Sequence, residues 1–374
     1  MRFKQILIVG FLILSVVALG DMATLGVRDF TGLMEFDLVR VEGPRGRQPA
    51  TPPDYEEQHP LAPQSGVRGV SVEGLAGALE VVPSPTGDVT ASYSIQLWGQ
   101  GNPQRLEQAA AAIAREVNAR WVREGDTARL TMGRPAALPG DVQAMRVTVR
   151  LAVPQGVDVA VAMTGDADIQ GVRGALSLAQ SGGQVTVRQV AGPVAIASSL
   201  GSVTVEEVEG PANVALNSGS LYMRDIRGTA KGRVQTGALT LVRVAGDVDF
   251  GVEQGAARVE DVAGNVKLTA SFGETVVDRV GGDVTIDQSF GALRVRGARR
   301  AVDVSVSLGE LELVLEGAGG WNIEAAVEMG ALNTDLPLRR ETSNLRTVAS
   351  GTIGDGAYPV RVEVYQGAAR LAHR

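Results

Sequence analysis

The chain has 374 residues, no Cys, two His, 47 Gly and a formal net charge of −7 at pH 7. These counts exclude a disulfide-stapled scaffold, a Cys-based zinc site and a His-based catalytic triad, and the acidic balance argues against nucleic acid as the main partner. With 44% hydrophobic and 21% charged residues, the chain is typical of a protein with a long aliphatic core. Both histidines, His59 and His373, fall in segments that the sequence predicts to be mobile.

An apolar run from residue 6 to residue 19 follows Arg2 and Lys4 at the amino terminus. As a helix it would span only ~20 Å, short of the ~30 Å hydrocarbon core of a membrane, which favours a cleaved signal peptide. An uncleaved anchor within residues 1–25 remains the alternative, because the cleavage site at residues 18–20 is weak. Both interpretations predict that the rest of the chain is extracytoplasmic, either secreted or membrane-anchored.

Six prolines lie among polar residues between positions 43 and 66. This composition predicts an irregular, Pro-rich spacer over residues 26–66, ahead of a folded domain at residues 67–374. A plain tether is favoured over a Pro-rich recognition motif.

One helix is predicted within the domain, at about residues 103–121. Asn102 can cap it, Pro103 suits its first turn, and Leu106, Ile113 and Val117 mark one apolar face. Because a stack of β-coils must hide the open edge of its first coil, we expect this helix to cover that end or a flank.

Glycines recur every 18 residues through the rest of the chain. The series consists of Gly165, Gly183, Gly201, Gly219, Gly237, Gly255, Gly273, Gly291 and Gly309, and a second series from Gly174 to Gly282 lies midway. Each half-repeat alternates apolar and polar residues, which is the period of a β-strand. Two nine-residue strand–Gly halves with no helix between them predict an all-β fold, a parallel β-solenoid with 18-residue coils.

The charged residues favour the same register, since residues 18 apart would be neighbours on adjacent coils. The two predicted outward columns are Arg188, Glu206, Arg224, Val242, Glu260, Asp278 and Arg296, and Lys231, Asp249, Lys267, Thr285 and Asp303. Only the step from Glu260 to Asp278 joins like charges.

The period weakens towards the carboxyl end. Arg300 stands where the series predicts Gly, which predicts a distorted corner at residues 297–300. After Glu310 the next matching glycine is Gly330, which predicts a lengthened, bulged coil containing Trp321. The turns between Gly351 and Val364 are expected to close this end.

Three features of the chain are distinctive together. They are the alternating segment VTVRLAVPQGVDVAVAMTGDADIQGVRGALSLAQSGG at 147–183, the small-Gly corners such as Ser218-Gly219, and the GTIGDG run at 351–356. Over roughly residues 67–370 they resemble the bacterial putative-adhesin β-strand-repeat family, a domain of unknown function. The resemblance implies an extracytoplasmic, envelope-associated β-solenoid, and it brings no catalytic residues.

One dense basic patch can be recognised, consisting of Arg294, Arg296, Arg299 and Arg300. It can contact an anionic glycan or lipid head groups, or it can balance Asp278 and Asp303 on neighbouring coils. Both interpretations remain open.

Carboxylates in the repeats suggest two other functions, glycoside hydrolysis and calcium binding. Asp278, Asp283 and Asp287 are close enough in sequence to suggest a glycosidase-like set, but they are expected to diverge. Acidic residues occur at only some of the corners, so no serial calcium array is expected. No cofactor, metal ion or catalytic residue is predicted.

The sequence therefore predicts a non-enzymatic, adhesin-like binding or structural module that is exported. Its partner would be an unknown envelope protein or glycan, and it would touch the membrane only through its N-terminal segment. The alternatives are a carbohydrate-active enzyme on a β-helix scaffold, which needs convergent carboxylates, and an end-to-end polymerising envelope scaffold, which needs an uncovered terminal coil.

Overall fold

The computed structural model describes residues 52–100, 102–135, 137–317 and 320–373. The predicted signal peptide or anchor and most of the predicted spacer lie outside these residues. The described ranges contain one helix and 22 strands, which confirms the all-β prediction. The helix is too short and too polar to cross a membrane. The described residues up to Ala197 and those from Ser198 onward form two compact units, which are described in turn.

The first unit contains ten strands and the helix. In chain order these are β1 (Tyr55–Pro60), β2 (Gly69–Pro83), β3 (Thr90–Gly99), α1 (Pro103–Val117), β4 (Arg120–Glu124), β5 (Thr127–Thr131), β6 (Val142–Val153), β7 (Asp158–Gln170), β8 (Leu176–Gln180), β9 (Gly183–Val190) and the start of β10 (Val194–Val208). The chain of β10 continues into the second unit.

β2 lies at the centre of this unit, out of chain order. It pairs in parallel with β7 on one side and with β5 and β6 on the other. Antiparallel strands then end the sheet, with β4 on β5, β3 on β6 and β1 on β3. The parallel ladder is thus closed by short antiparallel strands, which do not offer a long parallel edge to another chain.

The predicted helix is confirmed as α1. The Asn102 side chain accepts a hydrogen bond from the Arg105 backbone N–H at 2.9 Å, and Pro103 begins the first turn. Asn118 adopts a left-handed conformation with φ 38°, so the helix ends at Val117 rather than near residue 121. α1 packs against β3 and β1 with its apolar face buried.

β1 lies inside the stretch that was predicted to be an irregular spacer. It pairs with β3 over its whole length, and Pro60 is tolerated because it ends a strand at the sheet edge. Both histidines, whose segments were expected to be mobile, lie in strands. The His59 ring stacks on Tyr93 with 4.7 Å between centroids, and His373 meets Trp321 edge-on at 5.0 Å.

The second unit contains the remaining strands. They are β11 (Ala212–Ile226), β12 (Ala230–Val244), β13 (Val248–Val262), β14 (Val266–Phe272), β15 (Thr275–Val280), β16 (Val284–Ala298), β17 (Val302–Leu315), β18 (Trp321–Glu328), β19 (Gly330–Thr334), β20 (Arg339–Ser343), β21 (Arg346–Ile353) and β22 (Tyr358–His373).

From β11 to β16, the paired residues of adjacent strands are 18 positions apart and the strands are parallel, and the same register runs along most of β17. This pairing is the one that a β-solenoid requires, and "coil" below means one such 18-residue segment. Inward residues such as Leu239 and Leu241 are at most 1% exposed. The outward columns lie on paired positions as predicted, although Asp249 forms no ion pair with Lys231 or Lys267 in the described residues.

The glycine series marks a bend within a strand rather than a corner after it. β12 and β13 each run for 15 residues through Gly237 and Gly255, whose φ values are 136° and 143°. A Cβ atom on Gly255 would lie 1.6 Å from the Gly237 carbonyl oxygen. Glycine recurs here because successive backbones approach too closely for any side chain.

A second periodic feature was not predicted. Non-glycine residues with φ between 56° and 58° recur every 18 positions, at Gln189, Glu207, Asp225, Arg243, Asp261 and Arg279. In β11 and β12 the left-handed residue is skipped in the ladder, because Arg224 pairs with Val242 and Ile226 with Val244. Because both strands skip one residue at the same place, the register is kept, and these left-handed residues form an aligned column of bends that we call the bulge column.

The bulge column ends where a distorted corner was predicted. Gly297 continues it with φ 68°, but β17 has no matching bulge, so the register shifts between Arg296 and Ala298. Ala298 then pairs with Leu315, which is 17 residues later.

The carboxyl end is not a lengthened coil in chain order, and that prediction was wrong. β17 pairs with β22, and β22 pairs in turn with β18 and β19. β22 thus lies between β17 on one side and β18 and β19 on the other, although all three precede it in the chain. Gly309 pairs with Gly367, which pairs with Gly330.

An antiparallel hairpin covers β18 beyond this point, as β21 pairs with β18 and β20 with β21. Beside it, Arg340 donates a hydrogen bond to the Leu332 carbonyl of β19 at 2.6 Å. An Arg side chain on an edge carbonyl blocks the approach of another strand. These contacts argue against end-to-end polymerisation through this end.

Candidate binding surface

The residue before the bend glycine is exposed in three consecutive coils of the second unit. Phe272, Phe290 and Leu308 pair with one another across the ladder and are 50%, 42% and 44% exposed. We call these three residues the apolar ridge. Single exposed apolar residues are ordinary, but a contiguous row on successive strands indicates a contact surface.

The two rings of the ridge are stacked. The Phe272 and Phe290 centroids lie 4.8 Å apart and the ring planes differ by 5°. Each ring therefore covers one face of the other, and the ridge offers ring edges together with the Leu308 methyl groups. A sugar ring usually stacks on an open aromatic face, so this geometry suits apolar side chains better than a pyranose.

The predicted basic patch is not brought together as one free cationic surface. Arg294 forms an ion pair with Glu274, and the Arg296 Nη2 atom lies 2.9 Å from the Glu312 Oε2 atom. The hydrogen bond to Glu312 raises the pKa of Arg296 above its ordinary value. The charges of both arginines are thus balanced chiefly by Glu274 and Glu312, rather than by Asp278 and Asp303.

The other two arginines of the patch, Arg299 and Arg300, are exposed in the turn after β16. Neither forms an ion pair within the described part of the chain. They are the part of the patch that remains free to contact an anionic partner.

An open groove of about 490 Å³ lies at the other bend of the coils, where the bulge column runs. Its lining consists of Asp225, Ile226, Arg227, Arg243, Val244, Ala245, Asp261 and Ala263. Val244, Ala245 and Ala263 give it an apolar floor, and the charged side chains form its rim. The groove therefore spans three coils.

The rim is a ladder of alternating charges built on the bulge residues. Arg243 holds Asp225 in a bidentate pair with N···O distances of 2.6 and 2.8 Å, and Arg279 holds Asp261 at 2.5 and 3.1 Å. These hydrogen bonds hold the pKa values of Asp225 and Asp261 below their usual range. The ion pairs help to offset the cost of left-handed backbone at non-glycine residues.

This ladder predicts a pH dependence of stability. A carboxylate with a lowered native pKa binds fewer protons when folded than when unfolded, so its contribution is complete above the ordinary value of 3.8 and is lost as pH falls through the native value. We expect the doubly substituted Asp225→Asn, Asp261→Asn chain to be less stable than the wild type at pH 5. The difference should shrink as the pH falls through the lowered native pKa values of the two carboxyl groups.

Chemical unfolding measured at several pH values checks this expectation. Asp249→Asn is the matched control, because Asp249 is exposed in the same coils without an ion pair in the described residues, and its pH profile should follow that of the wild type. A double variant that loses stability with falling pH as steeply as the wild type would contradict the role of the ladder.

The carboxylates considered for catalysis have other partners or separate positions. The Asp283 Oδ1 atom accepts a hydrogen bond from the Ala301 N–H at 3.2 Å, and Asp247 and Asn265 tie successive turns in the same way. Asp278 follows Gly273, the bend glycine of its coil, whereas Asp287 precedes Gly291, the bend glycine of the next coil. In the described ranges, no three His, Asp or Glu side chains converge to hold a metal ion.

The ridge was missed in the sequence, although its signal is visible there. The triplets Ser-Phe-Gly, Ser-Phe-Gly and Ser-Leu-Gly recur at 271–273, 289–291 and 307–309. The preceding coils carry Ser218, Thr236 and Gln254 at the ridge position. An apolar residue in this outward phase over three coils is the pattern that identifies the surface.

Comparison with known proteins gives structural similarities only. No family model matches the chain, and no curated protein matches its sequence. A putative cell adhesion protein from Clostridium sporogenes is similar with a TM-score of 0.19 and 11% identity, covering 86% of this chain and 99% of that chain. A putative lipid binding protein from Parabacteroides distasonis has a TM-score of 0.34 and 12% identity, covering 86% and 98%. A putative adhesin from Bacteroides fragilis has a TM-score of 0.26 and 9% identity, covering 86% and 99%. Similarities of this size assign neither a family nor an activity to this chain.

Proposed function

We propose that this chain is a non-enzymatic, exported binding or structural module of a bacterial cell envelope, and that the apolar ridge is its contact surface. The observation that carries the proposal is the row of three exposed apolar side chains on successive coils. Around it, the larger charged groups Glu274, Arg294 and Glu312 are already paired with one another.

Export is supported by the amino-terminal apolar run that follows Arg2 and Lys4, and by the Pro-rich stretch after it. A module held beyond such a stretch can reach partners away from a membrane surface.

The size of the ridge sets how tightly it can bind alone. Two half-exposed Phe side chains and one Leu expose about 250 Å² of apolar surface, which corresponds to ~6 kcal/mol on full burial. Association costs an estimated ~4–15 kcal/mol in lost freedom of motion. The ridge alone therefore gives weak binding, and useful affinity needs polar contacts at its flanks or several copies that bind together.

A binding screen of the full chain against envelope proteins and glycans tests the proposal. We expect the Phe272→Ser, Phe290→Ser double variant to lose at least 10-fold in affinity for the best partner. Thr236→Ser is the matched control, since it changes the same position of another coil without changing its polarity, and it should bind as the wild type does.

The same screen decides between the ridge and the remaining basic patch. If the ridge variant binds normally while Arg299→Ala, Arg300→Ala abolishes binding, then the ridge is not the contact surface and the patch is.

A further inference from the structure

The apolar ridge and the groove lie on the same unit and match each other in period. The ridge spans the coils of Phe272, Phe290 and Leu308, and the exposed column of the groove consists of Arg227, Ala245 and Ala263, which lie 18 residues apart. Both features repeat at the strand spacing of ~4.8 Å. The two Phe rings can therefore lie over Ala245 and Ala263 coil by coil, with Leu308 at the coil of Arg227.

We propose that the ridge of one copy of this chain packs into the groove of a second copy. The inference rests on the proposed function, because it names the partner of the same ridge. The groove is open, and Ala245 and Ala263 carry no bulky side chain, so its floor leaves room for the Phe rings that are half-exposed in the single chain.

The charges beside the two features select one orientation of the partner. Glu310 is exposed two residues after Leu308 and forms no ion pair in the described ranges. At the other feature, Arg227 lies at the first coil of the groove with its side chain 75% exposed, and its ion pair with Glu209 leaves most of its N–H groups open. When the two coil stacks run in opposite directions, the coil of Leu308 meets the coil of Ile226, and Glu310 approaches Arg227.

The two features lie on opposite bends, since Ala263 and Phe272 are nine residues apart in an 18-residue coil. One copy therefore uses its ridge on one neighbour and its groove on another. Such a heterologous contact does not close into a dimer, and it extends side by side into an open row. The contact area is small, so assembly should depend strongly on concentration.

Sedimentation velocity of the full chain at increasing concentration tests this inference. We expect the wild-type mass to rise without a fixed end point. Phe290→Ser on the ridge and Ala245→Glu on the groove floor should each weaken association at least 10-fold. Both sites are exposed, and equal unfolding midpoints establish that the variants are folded.

A mixture of these two variants gives the sharpest result. Phe290→Ser keeps an intact groove and Ala245→Glu keeps an intact ridge, so together they should form one-to-one dimers and nothing larger. The charge exchange Arg227→Glu with Glu310→Arg tests the orientation, because the double exchange should restore the association that either single change weakens.

A wild-type chain that remains monomeric at all concentrations would overturn the inference, as would equal association of all variants. If the chain is monomeric but the ridge variant still loses binding in the envelope screen, only the inference fails. If the wild-type chain is monomeric and the ridge variant also binds normally in the envelope screen, then the proposed function of the ridge fails as well.

Discussion

Replacement of Gly255 by alanine is expected to lower the free energy of unfolding by about 3–5 kcal/mol, or to prevent folding of the coils around it. The added Cβ atom would lie 1.6 Å from the Gly237 carbonyl oxygen, and φ at Gly255 is 143°, a conformation that L-residues rarely adopt. The carbonyl belongs to the neighbouring coil, so it can yield only if the ladder opens. Chemical unfolding followed by circular dichroism measures the effect.

Gly251→Ala is the matched control because it lies in the same strand, four residues away. Its Cβ would meet only the Arg233 Cγ atom, at an ordinary 3.9 Å. This variant should be as stable as the wild type or slightly more stable, since alanine restricts the unfolded chain. If the two substitutions cost the same, close packing of the bends would not be the reason for the glycine period.

Glu363→Pro is expected to destabilise the carboxyl end by about 3 kcal/mol or more. Glu363 lies in β22, where it pairs with Ser305 of β17 on one side and with Ala326 of β18 on the other. Proline removes a backbone donor from the middle of this ladder. Hydrogen exchange should then show lost protection in β18 and β19 as well as in β22, while β11 to β13 keep theirs.

Glu341→Pro in β20 is the corresponding change at a strand with one neighbour, since β20 pairs only with β21 in the described ranges. It should leave the protection of β19 and β22 intact. Persistent protection of β18 and β19 in the Glu363→Pro chain would contradict the position of β22 between them and β17.

The coil length and register could be predicted because close backbone approach admits only glycine, and a constraint that recurs in every coil recurs in the sequence. The same glycines could not reveal whether they form a bend or a corner, since both need the freedom that glycine has. The bulge column could not be predicted, because no single residue type recurs at its positions. Its positions hold Asp225, Arg243 and Asp261, which look like ordinary surface charge until their φ values are known.

The strand order at the carboxyl end could not be predicted, because it departs from the 18-residue period. Val302 pairs with Val360, which is 58 residues later and not a multiple of 18. The available signal was local. Val360, Val362 and Gly367 repeat the spacing of Val302, Val304 and Gly309. A pattern of three short matches is weak evidence beside nine glycines in constant register.

The candidate surfaces also differ in which of their features could be predicted from the sequence. The arginines of the basic patch were found from their density in sequence, but their pairing with Glu274 and Glu312 depends on diagonal contacts between coils. The outward phase of the ridge could be counted from the glycine series, whereas the groove depends on bulges that the sequence does not mark.

The place of β22 has a consequence for biosynthesis. Its sixteen residues are synthesised after those of β18 to β21, yet they lie between β17 and β18 in the sheet. β18 and β19 therefore cannot pair with β22 until it has been synthesised, and the edge of β17 stays unpaired until then. A premature stop codon between Leu315 and Tyr358 would release a product in which that edge of β17 is unpaired, and such an edge favours aggregation.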